Sequence, residues 1–209
     1  MMHAADPRRS ISGYPLTQEQ IPIVDYAGQL LVIQARAGCG KTSTLVDLTA
    51  NNPHERFLYL AYNRSIRDDA TGRFPSNVTC LTSHQLAYKV YGARYRHKLR
   101  GNLRLRDIAE AVGTRDWGLA SDILGTLNRF MCSASLQFGP EHFPIGDNPP
   151  EDARHRQGVV LEQAERIWLR MCDVNDSFDA CHDLYVKRYQ MQPEDLSQRF
   201  SAILIDEAQ

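Results

Sequence analysis

The amino-acid sequence predicts an α/β fold, with a parallel sheet and a helical insertion before the last strand. Apolar runs of about 4–6 residues occur at 30–34, 57–62, 78–81 and 202–205, and such runs are typical of strands covered on both faces. Helical patterns follow the first three runs, and this alternation indicates βαβ units. Between residues 91 and 200 the pattern is helical, which predicts the insertion.

The predicted elements follow one another in a simple order. Helices are predicted after the first three strands, at 41–50, 64–73 and 85–90. Within the insertion, apolar stripes at helical spacing run through 119–130, 160–171 and 178–189. The segment 137–150 contains four Pro and two Gly, which predicts a loop.

Composition narrows the class of protein. The 209 residues are 43% hydrophobic and 23% charged, which excludes a disordered chain. The net charge of -1 means that a nucleic-acid partner would be held by a local basic surface. No apolar run approaches the roughly 18 residues of a membrane span, and no secretory signal is recognised. Five Cys without a CxxC pair argue against a disulfide framework or a zinc finger, so we expect a cytoplasmic protein.

The strongest motif lies between the first predicted strand and helix. It fits a phosphate-binding loop formed by Ala35, Arg36, Ala37, Gly38, Cys39, Gly40, Lys41 and Thr42. The two glycines let backbone N–H groups turn towards phosphate oxygens at a helix N-terminus. Lys41 is predicted to reach the β- and γ-phosphates of ATP, and Thr42 to bind Mg²⁺. The alternative is a glycine-rich turn that only caps a helix.

A second motif ends the last predicted strand. The run Ile203-Leu204-Ile205 leads into Asp206 and Glu207, as in the Walker B strand of many P-loop NTPases. Asp206 is predicted to hold Mg²⁺, and Glu207 to orient and deprotonate the attacking water. A carboxylate pair after a strand is otherwise common surface chemistry.

These motifs together resemble the superfamily 1 DNA helicases of the UvrD/Rep type. The phosphate loop has the form AxAGxGKT, residues 206–209 read DEAQ, and Leu16, Thr17 and Gln20 match the LTxxQ motif. The resemblance implies a RecA-like P-loop fold, an ATP and Mg²⁺ requirement, adenine recognition by Gln20, and coupling of nucleotide state to DNA by Gln209. It implies ATP-driven 3′→5′ movement on single-stranded DNA.

Further segments resemble the F-box DNA helicase branch. They are LYLAYNRS at 58–65, similar to motif Ia, TSHQLAY at 82–88, and HDLYVK at 182–187. In the family, the first two line the single-stranded DNA track, so the resemblance implies DNA contacts by Tyr62, Asn63, Arg64, Thr82 and His84. Strand-end packing is the alternative for Tyr62, and a helix N-terminal role is the alternative for His84.

The sequence departs from the family at two positions and carries one basic cluster. Ser83 replaces the usual Phe, and Cys39 replaces the common Ser of the phosphate loop, where we expect it to react with thiol reagents. The cluster comprises Arg94, Arg96, Lys98, Arg100, Arg104 and Arg106. It is either a DNA-binding surface or a solvated face.

The resemblance also predicts the domain organisation. Residues 1–91 are expected to form the first part of subdomain 1A, 92–200 the helical insertion 1B with a return helix, and 201–209 the Walker B strand, after which we expect the chain to be truncated. The second RecA-like domain, with its arginine finger, would then be missing. The expected partners are single-stranded DNA and a duplex junction, and no membrane. The alternatives are a non-catalytic nucleotide- or DNA-binding module and a P-loop ATPase of another class.

Overall fold

The computed structural model describes residues 9–36, 38–144 and 153–206, which form two compact units. The sheet unit comprises Met1–Ser83 and Asp195–Gln209, and the helical unit comprises His84–Glu194. The predicted α/β class with a parallel sheet is confirmed. None of the helices in the described part of the chain is both long enough and apolar enough to cross a membrane.

Within its described residues, the sheet unit contains three parallel strands in the order β2-β1-β3. Its elements are α1 (Gln20–Val24), α2 (Lys41–Asn51), β1 (Phe57–Ala61), α3 (Arg64–Arg73), β2 (Val78–Thr82), a 3₁₀ turn (Leu196–Gln198) and β3 (Ala202–Ile205). The β1 strand is central because it pairs with a neighbour on each side. Four of its five residues are buried.

The apolar core of the sheet unit lies between β1 and the helices α2 and α3. It contains Leu45, Val46, Leu48, Phe57, Tyr59, Ala61, Ala70, Phe74 and Leu204. Strand alternation directs Tyr59 and Ala61 to one face of β1, and the neighbouring Leu204 of β3 lies on the same face. This packing fixes the carboxyl ends of β1 and β3 beside the start of α2.

The strand predicted at 30–34 is wrong. Among the described residues this run pairs with no strand, Leu30 and Val32 are 78% and 72% exposed, and only Ile33 packs against the core. Strand preference expresses how well side chains fit a paired, half-buried surface, so an apolar run without a ladder partner does not form a strand.

The helical unit is built around one large core. Its elements are α4, which begins at the unit boundary (Ser83–Val90), a 3₁₀ turn (Gly92–Tyr95), α5 (Leu105–Val112), α6 (Trp117–Met131), a 3₁₀ turn (Pro140–His142), α7 (Ala153–Cys172) and α8 (His182–Met191). The predicted stripes of α6 and α7 face the core, where Ile123, Leu127, Val160 and Met171 are completely buried. The stripe predicted from residue 178 begins as a helix only at His182, because Cys181 is extended.

Candidate functional site

The predicted phosphate loop forms a tight turn that leads into α2. Gly38 and Gly40 have φ angles of +78° and +86°, in the left-handed region that side chains with a Cβ rarely adopt. The Cys39 amide donates to the carbonyl of Arg36 at 3.4 Å, which closes the turn. Both glycines are therefore required by the backbone, as the sequence predicted, while Ala37 lies outside the described residues.

Two side chains of the loop donate hydrogen bonds to carbonyl groups of the loop itself. The Lys41 ammonium donates to the carbonyl of Ala35 at 3.4 Å, and the Cys39 thiol donates to the carbonyl of Arg36 at 2.7 Å. Lys41 is half-buried, whereas Cys39 is exposed. The lysine thus lies over the loop, where a bound anion would be attracted to both the ammonium and the start of α2.

Asp206 joins the loop to the sheet. It directly follows β3, and its Oδ2 accepts a hydrogen bond from the hydroxyl of Thr42 at 2.9 Å, although the two residues are 164 positions apart. The sequence predicted these two residues as metal ligands, and the structure brings them together. Glu207 and Gln209 lie outside the described residues.

Tyr59 is a neighbour of Asp206 that the sequence analysis missed. Its hydroxyl donates to the same Oδ2 at 3.0 Å, although its aromatic ring lies in the core. Burial raises the pKa of Tyr59 well above its usual range, and the Asp206 carboxylate raises it further, so the phenol remains a donor at neutral pH. The available signal was strand alternation, which places residue 59 on the face that Asp206 continues.

Gln20 lies beside the loop. Its amide nitrogen donates to the hydroxyl of Thr44 at 3.0 Å, and its amide oxygen accepts from the backbone of Thr17 at 3.0 Å. The hydroxyl of Thr44 in turn donates to the carbonyl of Gly40 at 3.0 Å. The predicted LTxxQ motif is thereby linked to the glycine turn through α2.

An open cavity of about 490 Å³ adjoins the Thr42–Asp206 pair. Its lining residues are Thr42, Tyr62, Ser65, Ile66, Asp69 and Asp206. The three residues from α3 were not among the predicted site residues, because nothing in the sequence indicates which face of that helix borders the cavity. Tyr62 is 84% exposed at the rim, so its ring is available for stacking.

The other predicted DNA contacts of the sheet unit differ in exposure. Arg64 projects into solvent, with a loose ion pair to Asp68 at 3.8 Å. The Asn63 side chain accepts from the Ile66 amide at 2.9 Å and so caps α3. Thr82 is buried, so it presents little surface in this structure.

The last predicted DNA contact, His84, lies in the helical unit and is exposed. Its Nε2 lies 3.4 Å from a carboxylate oxygen of Asp183, and its ring meets that of Tyr185 edge-on at 6.0 Å. Tyr185 is also hydrogen-bonded to His182 at 3.1 Å. Two sequence segments that resemble helicase motifs, at 82–88 and 182–187, therefore meet around His84.

The basic cluster is not one continuous surface. Lys98 is buried, and its ammonium donates to the carbonyls of Arg170, Asp173 and Asp176 at 2.6–3.1 Å. Within the same unit, Arg100 pairs with Asp179 and Arg106 pairs with Glu110. The five arginines remain exposed, whereas Lys98 holds a loop together.

Comparisons with known proteins agree with the predicted resemblance. The chain is 33% identical to F-box DNA helicase 1 of Gallus gallus over 96% of its length, and 32% identical to F-box DNA helicase protein 1 of Schizosaccharomyces pombe over 93%. It spans 22% and 25% of the lengths of these relatives. No family model and no solved structure matches the chain. The resemblance to the F-box DNA helicases is confirmed, and it supports an incomplete RecA-like P-loop fold.

Proposed function

From this resemblance to proteins named DNA helicases, we propose that the chain is the ATP-binding portion of an ATP-dependent DNA helicase that moves 3′→5′ along single-stranded DNA. The observation that carries the proposal is the 2.9 Å hydrogen bond between Thr42 and Asp206. It joins a loop suited to phosphate with a carboxylate at the end of a parallel strand, where nucleotides commonly bind in α/β sheets.

The residues present fit a nucleotide with Mg²⁺. A hydroxyl and a carboxylate are the hard oxygen ligands that Mg²⁺ prefers, with water and phosphate oxygens completing the shell. Within the described residues no group of three or more His, Cys, Asp or Glu side chains could hold a metal, which agrees with a site that uses few protein ligands. Bound Mg²⁺ would neutralise charge on the phosphates. Lys41 would hold the phosphates, and Glu207 would orient water.

Gln20 has the hydrogen-bonding capacity to recognise adenine. A glutamine amide has two N–H donors and two acceptor lone pairs, and its contacts with Thr44 and Thr17 use one of each. One donor and one acceptor remain for the edge of a base. We therefore propose that α1 positions Gln20 to discriminate adenine.

The surface beside the cavity would contact DNA. Tyr62 supplies an exposed aromatic ring for base stacking, and Arg64 supplies a charge for phosphate. Asn63, Thr82 and His84 complete the proposed set. Tyr62 and Asp206 line one cavity. A change in the bound nucleotide would therefore alter the proposed DNA-binding surface.

The whole enzyme would contain more than this chain. We propose that the sheet unit corresponds to subdomain 1A and the helical unit to subdomain 1B, near a duplex junction. A second RecA-like domain would supply an arginine finger. The 209 residues alone are therefore expected to bind ATP–Mg²⁺ weakly and hydrolyse it slowly.

The nucleotide site is tested by comparing Lys41→Ala with Lys89→Ala, a substitution of an exposed lysine on α4. Binding of a fluorescent ATP analogue is measured with Mg²⁺ present. Lys41→Ala should weaken binding at least tenfold, a loss of about 1.4 kcal/mol, whereas Lys89→Ala should leave it unchanged. Equal binding by both variants would contradict the proposal, and binding without hydrolysis in the longest natural polypeptide would favour a non-catalytic module.

The DNA surface is tested by comparing Tyr62→Ala with Tyr14→Ala. Both tyrosines are exposed, at 84% and 73%, so the two changes remove similar surface aromatics. Loss of a stacked base should weaken oligo(dT) binding by about 1–3 kcal/mol for Tyr62→Ala only. Direction is measured on the longest natural polypeptide that contains this sequence, by displacement of streptavidin from 3′- or 5′-biotinylated DNA. Faster displacement from the 5′ end is expected for 3′→5′ movement.

A further inference from the structure

The Tyr59 phenol lies where the core of the sheet unit meets the predicted metal ligand. Tyr59 is the middle residue of the central strand β1 and pairs with Leu204 of β3. Side chains alternate along a strand, so Asp206, two positions after Leu204, continues the same face. The ring is completely buried and packs against Phe74 at 4.9 Å, while the hydroxyl reaches the Asp206 carboxylate.

One carboxylate oxygen therefore receives two hydroxyl donors from different parts of the unit. Thr42 donates to Oδ2 of Asp206 at 2.9 Å from the N-terminal turn of α2, and Tyr59 donates to it at 3.0 Å from β1. The Thr42 hydroxyl is itself a predicted metal ligand, so it would leave Asp206 when a cation binds. The Tyr59 hydroxyl is attached to a ring locked in the core and has no such alternative role.

We propose that Tyr59 is a positioning residue, which holds the Asp206 carboxylate in the orientation that binds a divalent cation and keeps hold of it when Thr42 turns to the metal. This inference rests on the proposed nucleotide site. A hydrogen bond from a rigid donor to a ligating carboxylate restricts its rotation, and such supporting contacts commonly change metal affinity by about 10–100-fold. Tyr59 would touch neither nucleotide nor metal.

The chain offers a matched control in the helical unit. Tyr95 is also buried, and its hydroxyl donates to the carbonyl of Cys172 at 3.0 Å. Tyr95→Phe and Tyr59→Phe each delete one buried hydroxyl and retain the ring. They differ in the acceptor, which is a backbone carbonyl for Tyr95 and the predicted metal ligand for Tyr59. A purely structural role for Tyr59 would make the two variants behave alike.

The experiment measures Mn²⁺ binding to the 209-residue chain in the presence of ADP, from the electron paramagnetic resonance signal of free Mn²⁺. ADP binding in EDTA is measured separately. Tyr59→Phe should weaken Mn²⁺ about tenfold and leave metal-free ADP binding unchanged, whereas Tyr95→Phe should change neither. Urea unfolding of both variants reports whether the fold persists. If Tyr59→Phe is too unstable, Tyr59→His retains a ring and a donor and should preserve more Mn²⁺ affinity than Tyr59→Leu.

A double-mutant cycle with Asp206→Asn distinguishes failure of the Tyr59 inference from failure of the proposed nucleotide site. Asp206→Asn should itself weaken Mn²⁺ binding, and adding Tyr59→Phe should then have no further effect. Wild-type Mn²⁺ affinity with a strong loss in Asp206→Asn but none in Tyr59→Phe would overturn the inference and leave the proposed function intact. Absence of Mn²⁺ binding in the wild type, or no loss in Asp206→Asn, would overturn both.

Discussion

Buried polar side chains serve different purposes in the two units. In the helical unit, the hydrogen bonds that Lys98 and Lys187 donate to described residues all go to backbone carbonyls, three for Lys98 and two for Lys187. In the sheet unit, the hydroxyls of Thr42 and Tyr59 converge on the carboxylate of Asp206 at the end of a strand. The lysine contacts bind loops to a core, whereas the Asp206 contacts lie beside an open cavity.

The apolar cores of the two units also differ, since the described core of the helical unit is the larger one. The helical core contains many completely buried side chains, among them Ile108, Ile123, Leu127 and Leu184. Each unit also exposes large apolar side chains, with Ile203 and Ile205 of β3 at 45% and 59% in the sheet unit and Trp117 and Leu169 at 57% and 61% in the helical unit. The difference teaches that core substitutions in the helical unit should change stability, whereas substitutions at the proposed nucleotide site of the sheet unit should change binding.

The largest expected effect is the loss of a buried ammonium. Lys187→Met leaves the carbonyls of Ser133 and Ser135 without their donor, which should lower the free energy of unfolding by about 2–4 kcal/mol. The exposed Lys89→Met provides the control, with a change of less than about 0.5 kcal/mol. Urea unfolding measures both. A small effect at Lys187 would mean that the two loop carbonyls find other partners, and the contrast between the units would weaken.

The next effect is a loss of stability at alkaline pH in the helical unit. Burial raises the pKa of the Cys172 thiol to about 11, from 9.0, and Arg188 only partly opposes this. Between these values the folded chain retains a proton that the unfolded chain has lost, so stability is fully present below pH 9 and falls as pH rises to about 11. The expected loss is at most about 3 kcal/mol.

This pH dependence is checked by urea unfolding at intervals from pH 8 to pH 11. Cys172→Ala should flatten the decline, whereas Cys132→Ala, a change at an exposed cysteine of the same unit, should retain it. Tyr95, whose pKa burial also raises, contributes in the same direction above pH 10. An equal slope in both cysteine variants would show that Cys172 is not the source.

A smaller effect compares the same helix cap in the two units. Asn63 caps α3 by accepting from Ile66, and Asp116 caps α6 by accepting from Leu119 at 3.0 Å. Replacing either residue with Ala should cost about 1 kcal/mol of stability. Asn63→Asp retains the cap but adds a negative charge, so it should preserve stability and weaken oligo(dT) binding. Unchanged DNA binding in Asn63→Asp would remove Asn63 from the proposed DNA surface.

The smallest expected change in free energy accompanies thiol labelling of Cys39 in the phosphate loop. Cys39 and Cys132 are exposed, so both should react with a maleimide, whereas the buried Cys181 should not. ATP–Mg²⁺ should protect Cys39 and leave Cys132 reactive, as measured by mass spectrometry of peptides. Equal labelling of Cys39 with and without nucleotide would contradict a nucleotide site in this loop.

The sequence determined those features that depend on local chemistry. Short continuous apolar runs predicted β1, β2 and β3, helical stripes predicted α6 and α7, and the spacing of Gly38, Gly40 and Lys41 predicted a turn at a helix start. The proximity of Thr42 and Asp206 was predicted from two separate motifs and their resemblance to those of one family. Each of these signals is contained in a short segment of the sequence.

Only the tertiary structure decided the features that need partners distant in sequence. Residues 30–34 have strand-like composition but no ladder partner among the described residues, so they form no strand. The sequence places Lys98 in a basic cluster, whereas in the structure the loop at Arg170–Asp176 surrounds its ammonium. In the sequence Tyr59 is an ordinary core residue of a strand, but the pairing of β3 with β1 brings Asp206 to its hydroxyl. In each case pairing, burial or hydrogen bonding comes from another segment, and no local pattern records which segment that is.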